Sequence, residues 1–202
     1  MNPTWTRLQN PFAWSALDAF AQSSIKHAED GLLLNFFLSA AHWLPVQPPP
    51  QPDGTPVNMG PDNIPTAGIT LDGQIYIAVA TGTVVTSGAG DYSHDYSVLA
   101  KFDPIHQTFS SGRTISRVAN GGHFIYTVLR EAAPGLLANP PQGFTEPAVV
   151  MFGLGEYRKS NIYLSIVPKS EFESGVDASG NNATWYFRVS TAKPSDLVST
   201  GD

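Results

Sequence analysis

The chain has 202 residues, a formal net charge of -6, 14% charged residues, 18 glycines, 17 prolines and no cysteine. The low charge and the density of turn formers, about one residue in six, argue against a helix bundle and for many short elements. The acidic balance, without clustered Lys/Arg, argues against nucleic acid, and the lack of cysteine removes disulfides, thiolate nucleophiles and thiolate metal sites.

No basic amphipathic helix points to a membrane surface. The longest apolar stretch, Leu32 to Leu44, is interrupted by Asn35, Ser39 and His42 and is too short to span a bilayer. The first residues, Met1 to Arg7, hold no apolar core of signal-peptide length. The expectation is a chain without membrane or nucleic-acid partners.

Within residues 1–44, Trp14 to Ala21 fits both periods: Trp14, Leu17, Phe20 and Ala21 share a helical face, and Trp14, Ala16 and Asp18 alternate as in a strand. Asp30-Gly31 reads as a turn, and Leu32 to Leu38 as a buried strand. Residues 45–61 carry Pro45, Pro48, Pro49, Pro50, Pro52 and Pro56, which fix φ and remove donors, so they read as a loop.

From residue 62 the pattern becomes regular. Ile64 to Leu71 and Gln74 to Thr81 read as strands joined by an Asp72-Gly73 hairpin turn. Gly82 to Asp91 reads as a loop, Tyr96 to Phe102 as a strand, Phe109 to Gly112 as a turn, and Thr114 to Val118 as a fourth strand. After Asn120-Gly121-Gly122 the plan repeats with Phe124 to Glu131, Ala148 to Leu154, Ile162 to Val167 and Trp185 to Val189. Leu99 then corresponds to Leu164, an offset of 65 residues. Two consecutive four-stranded units fit propeller blades. The same turn spacing fits one β-sandwich of eight or nine strands.

Three segments carry a resemblance: Asn63-Ile64-Pro65-Thr66-Ala67-Gly68-Ile69, Met151-Phe152-Gly153-Leu154-Gly155-Glu156-Tyr157-Arg158, and Asn161-Ile162-Tyr163-Leu164. In this order they resemble domain-of-unknown-function family 4185, a propeller-type family that includes endo-acting D-arabinanases, over roughly residues 12–190. The resemblance implies an all-β, five-bladed propeller fold. This chain would then be a partial set of two to three blades: 1–44 the end of a preceding blade, 62–118 and 119–190 two blades, and 191–202 a tail. It also implies an extracellular, carbohydrate-active domain related to endo-glycosidases of furanose polymers, with a polysaccharide or glycan ligand and no cofactor. A non-catalytic glycan- or protein-binding propeller is the alternative. The family's acidic Phe-Gly-Asp segment has no counterpart in residues 1–44, which implies weak or absent hydrolysis. A partial ring also leaves blade faces bare, so self-association through them is expected.

Glycoside hydrolysis needs two carboxyl groups about 5–10 Å apart across the scissile bond. The candidates are Asp62 before the first strand, Asp95 in Ser93-His94-Asp95-Tyr96, Glu131 at a strand end, and Glu156 in the loop after Phe152-Gly153. Each also fits an ordinary turn or surface carboxylate. Asn63, His94, His123 and Arg158 are the substrate-binding candidates; His123 follows Gly121-Gly122 at the mouth of a strand, where an imidazole can meet a sugar hydroxyl or only water. His94 and Asp95 are adjacent on a strand and point to opposite faces, so they do not form a metal pair, and no metal is expected. Trp185 and Tyr186, on an outer strand, read as packing residues before a sugar platform. Gly153-Leu154-Gly155 lacks the Lys-Ser/Thr and the helix of a phosphate loop.

Overall fold

The computed structural model describes the backbone at residues 21–22, 35–36, 38–39 and 42–43, and residues 64–85, 92–105, 108–137, 140–141, 144–156, 160–187 and 197–198. The chain divides into two compact units, Met1–Val46 and Gln47–Asp202, with the boundary inside the proline-rich segment. The first unit holds two short antiparallel pairs: β1 (Ala21–Gln22) with β2 (Asn35–Phe36), and β3 (Leu38–Ser39) with β4 (His42–Trp43). Of the readings there, the Asp30-Gly31 turn and all of Trp14 to Ala21 except Ala21 lie outside the described residues, and the Leu32-to-Leu38 strand is described only at Asn35, Phe36 and Leu38.

The second unit is all-β. Its first sheet is a meander of β5 (Ile64–Leu71), β6 (Gln74–Val85), β7 (Tyr92–Asp103) and β8 (Thr108–Arg117). Its second sheet runs β9 (Tyr126–Ala132), β10 (Ala148–Leu154), β11 (Tyr163–Pro168), β12 (Trp185–Phe187) and β13 (Leu197–Val198). Among the described strands every neighbouring pair is antiparallel and consecutive in sequence, and none crosses from one sheet to the other. Leu99 and Leu164 both fall on the third strand of their sheet.

Three expectations are corrected. The Gly82-to-Asp91 loop begins too early, because β6 continues to Val85 with Thr83, Val84 and Val85 paired to His94, Ser93 and Tyr92. Gly82 itself sits at φ +69 against the Tyr96 ring, a place with no room for a side chain. The Phe109-to-Gly112 turn is strand: β8 carries register shifts opposite Ser97, Val98 and Ala100, and Gly112 lies flat against the Leu99 carbonyl. A bulged strand uses Ser and Gly much as a turn does. Leu197–Val198, in the supposed tail, pairs with Phe187 and Tyr186 and satisfies part of the β12 edge.

The two sheets share one core. Tyr76, Ala78, Leu99 and Ile115 of the first sheet pack with Leu129, Val149, Met151 and Val167 of the second, together with Phe124, Phe172 and Ala183 from the connections. Phe172 meets Tyr76 edge-on at 5.5 Å. The Tyr76 hydroxyl donates to Glu173 at 2.8 Å; burial, then that bond, pushes its pKa up to about 12. The other face of the first sheet is buried too, through Ile77, Val79, Val98, Ala100 and Phe102. The outer face of the second sheet is half covered: Leu137, Phe144 and Trp185 pack on Ala132, Ala148, Val150 and Ile166. Beside them a cross-strand row stays on the surface, with Val128 60%, Phe152 42% and Phe187 41% exposed.

The first strands of the two sheets run side by side and parallel. Thr66 and Thr127 meet near their starts, with Oγ1 atoms 3.2 Å apart. At their ends Lys169, just past β11, reaches Asp72 at 2.6 Å and Glu131 at 2.7 Å. The stack therefore has two distinct ends: one gathers the starts of β5, β7, β9 and β11, the other their finishes.

Candidate functional site

The starting end collects most of the described candidates. β8 leaves the sheet at Arg117 and makes one 3-10 turn, Val118–Asn120. Gly121 and Gly122, at φ +104 and +60, then reverse the chain, their N–H groups donating to Val118 O at 3.1 Å and Arg117 O at 2.9 Å. A side chain with a Cβ rarely adopts either conformation. Next come His123, half-buried, and the buried pair Phe124 and Ile125. Ser97 Oγ donates to Phe124 O at 2.6 Å, and the Phe124 N–H donates to Ser116 Oγ at 3.3 Å. This joins the connection to the first sheet.

The same connection rests on the second sheet through two glycines. A Cβ at Gly153 would run into the Phe124 ring and lie 2.6 Å from His123 O; one at Gly155 would run into Gly122 O. The Gly153-Leu154-Gly155 segment thus permits close backbone approach. Tyr163 lies across the ladder from Gly153, and its ring centroid is 4.2 Å from that of His123, tilted by 41°. Phe124 continues the aromatic contacts to Tyr163 and Tyr186, at 6.4 and 5.7 Å.

His94 occupies the start of β7 and is 2% exposed. Its Nδ1 lies 2.7 Å from the Tyr126 hydroxyl, with the rings edge to face at 5.5 Å. Tyr96 packs under the Arg117 guanidinium at 5.1 Å. Burial raises the Tyr96 pKa, against the opposing pull of Arg117 and of a hydrogen bond with Thr81. Asp95 is exposed beside them. Glu156 is exposed in the loop after β10, where the Gly155 N–H donates to Ser160 Oγ at 2.9 Å.

Glu131 is not brought to this end. It lies five residues along β9 from Tyr126, about 16 Å at the usual strand rise. That exceeds the separation at which two carboxyl groups share a scissile bond. Its carboxylate is instead engaged by Lys169. Asp62, Asn63 and Arg158 lie outside the described residues. Trp185 packs with Leu137 and Phe144 on the outer face, and Tyr186 on the main core, so both have packing roles.

Sequence reasoning passed over Tyr126 and Tyr163. Tyr163 stands inside the Asn161-to-Leu164 segment, and Tyr126 two residues after Phe124. The signal for each was an aromatic at a strand start beside a glycine-rich connection. Among the described residues no group of three or more His, Asp or Glu could hold a metal, and no helix is long and apolar enough to cross a membrane. A hollow of about 60 Å³ at the opposite end, lined in part by Leu137, Phe144 and Glu146, is far smaller than the roughly 300–1,000 Å³ of small-molecule pockets. No protein-family profile matches the chain, and no curated protein matches its sequence.

Proposed function

We propose that this chain is a carbohydrate-binding domain of β-propeller type, related to endo-acting glycosidases of furanose polymers and itself weakly hydrolytic or not at all. The observation that carries the reading is the placement, at one end of two stacked meanders, of the His123–Tyr163 ring contact and the exposed Asp95 and Glu156, with buried His94 bonded to Tyr126. Aromatic faces beside imidazole and carboxylate hydrogen-bonding groups suit the alternating C–H and hydroxyl surfaces of a sugar ring. The propeller reading draws support from next-neighbour hairpins within each sheet and from the parallel first strands. A Greek-key sandwich would return a strand by a long connection. The non-catalytic side of the reading draws support from Glu131, whose placement removes one candidate partner for Asp95 or Glu156.

Calorimetric titration against D-arabinan, L-arabinan and a panel of pyranose polymers, with reducing-end release followed in parallel, tests this. Saturable binding to a furanose polymer with little release is expected. The absence of binding to every polymer would remove the carbohydrate reading, and rapid release would remove its non-catalytic part.

A further inference from the structure

The outer face of the second sheet carries three chemistries at successive levels. The register sets Ala132 beside Ala148, Arg130 beside Val150, and Val128 beside Phe152. At the first level lies the hollow of about 60 Å³, walled by Pro134, Leu137, Phe144 and Ala148, with Glu146 in its lining. At the second, Arg130 is exposed; its neighbour Leu129 belongs to the main core, so strand alternation turns Arg130 to the outer face. At the third, Val128 and Phe152 open the apolar row that reaches Phe187. Successive levels are two residues apart along the strand, about 7 Å.

The hollow fits one kind of side chain. A water-sized atom needs about 10–15 Å³ of such volume, so about four to six non-hydrogen atoms fit, the size of a lysine side chain beyond its Cβ. The stem of that side chain favours apolar walls, and its head needs a polar acceptor. Glu146 Oε2 accepts from Ser170 Oγ at 2.7 Å and from the Ser170 N–H at 3.4 Å. This orders the carboxylate and leaves Oε1 without a hydrogen-bond partner among the described residues. Glu171 and Asp177 add negative charge nearby: burial, then Glu146 and Asp177, push the Glu171 carboxyl up. Lys169, beside them in sequence, is taken by Asp72 and Glu131.

We propose that this face docks an extended segment of a partner protein that carries lysine, an acidic residue and an apolar residue at alternate positions. Alternate side chains of an extended chain share one face at the same 7 Å spacing, roughly, as the levels beneath them. The lysine stem enters the hollow and its ammonium meets Glu146; the acidic residue meets Arg130; the apolar residue lies on Val128 and Phe152. A free amine filling the hollow alone would leave the two other levels idle, and the few atoms it holds limit affinity. The proposal is independent of the carbohydrate reading, whose residues lie at the other end of the sheets.

The test uses the full chain and a synthetic peptide with lysine, glutamate and leucine at alternate positions and threonine between them, carrying a neutral dye and followed by fluorescence anisotropy. Saturable binding with a Kd below about 1 mM is expected. Replacing the peptide's lysine by methionine keeps the stem and removes the charge, and should weaken binding about tenfold, the scale of one charge-assisted hydrogen bond. Glu146→Gln should weaken the lysine peptide equally and leave the methionine peptide unchanged, because the charge pair is then already gone. Arg130→Gln should weaken the peptide about threefold, and not at all once its glutamate is glutamine. Glutamine at 146 keeps an acceptor for Ser170, and thermal midpoints are recorded; the peptide replacements read the wild-type chain and so decide even if a variant does not fold. Butylamine, the second probe, should bind far more weakly than the peptide; equal affinity would replace the partner protein by a free amine. No peptide binding in the low millimolar range, or equal binding of the lysine and methionine peptides, overturns the proposal.

Discussion

The hydroxyls of Thr66 and Thr127 lie 3.2 Å apart, each on the first strand of its own sheet, and the Thr127 N–H donates to Thr66 Oγ1 at 3.3 Å. Thr66 also donates to Ala78 O at 3.3 Å, so one hydroxyl ties together three strands. Thr66→Val keeps the shape and leaves buried Thr127 short of a partner. A loss of about 1–3 kcal/mol is expected in urea unfolding. The double variant with Thr127→Val should lose less than the sum of the two single changes, because both hydroxyls are then gone and only the Thr127 N–H has lost its acceptor.

Lys169 makes a second tie, to Asp72 and Glu131. Those two hydrogen bonds, Asp72 first, push its pKa up. A raised pKa on a cation means the stabilisation is fully present below the ordinary lysine value, near 10.4, and fades as pH rises through the higher folded value. Thermal midpoints of wild type and Lys169→Met should therefore differ at pH 8 by a constant amount and converge only in strongly alkaline buffer. Added salt should shrink the difference, since Asp72 is largely exposed. A difference that stays fixed in both titrations would show that the lysine stem, not its charge, matters.

Arg113 behaves in the opposite sense. Its Nε donates to Phe172 O at 3.1 Å and its guanidinium lies over the Phe172 ring at 6.0 Å, yet its buried Nη2 has no hydrogen-bond partner. Burial draws its pKa from 12.5 to about 10, which means the fold disfavours the charged form. That penalty is present below about pH 10 and fades above it. Arg113→Met keeps the stem and removes the charge, so the thermal midpoint at pH 7 is expected to hold or rise. A fall of more than a few degrees would show that the Phe172 hydrogen bond outweighs the desolvation.

Glycines separate by what surrounds them. Gly153→Ala places a methyl group into the Phe124 ring and should cost about 1–3 kcal/mol. Gly73, at φ +82 with nothing within 4 Å, should accept Asn with a much smaller loss, because Asn tolerates the left-handed region. Circular dichroism melts of the two variants check the contrast.

The regular half of the chain was legible because alternation and turn chemistry agree there. β5 and β10 fall at Ile64–Leu71 and Ala148–Leu154, the bounds their apolar patterns set, and Asp72-Gly73 makes the expected turn, with Asp72 at φ +48. The start of β8 was hidden because bulged strands and turns draw on the same Ser and Gly residues, and only the Leu99 carbonyl against Gly112 tells them apart. The Leu197–Val198 pairing was hidden because two apolar residues are too few to show a period. At the candidate site, His94 and His123 were visible as chemistry, but their partners Tyr126 and Tyr163 come from the other side of tertiary contacts. Glu131, at a strand end, and Glu156, in a loop, were both carboxylate candidates in the sequence. Strand direction alone sends them to opposite ends.

The consecutive order of strands also sets a schedule for synthesis. The β5–β8 sheet has all its residues once Arg117 has left the ribosome, and its hairpins can pair at once. The residues that cover its core face, Met151 and Val167 among them, emerge some 30 to 50 positions later, a delay of several seconds at about 5–20 residues per second. During that interval Tyr76, Leu99 and Ile115 stand uncovered on the nascent chain. A holdase chaperone recognising exposed apolar strands would find its substrate in this window, and the finished protein would no longer display it.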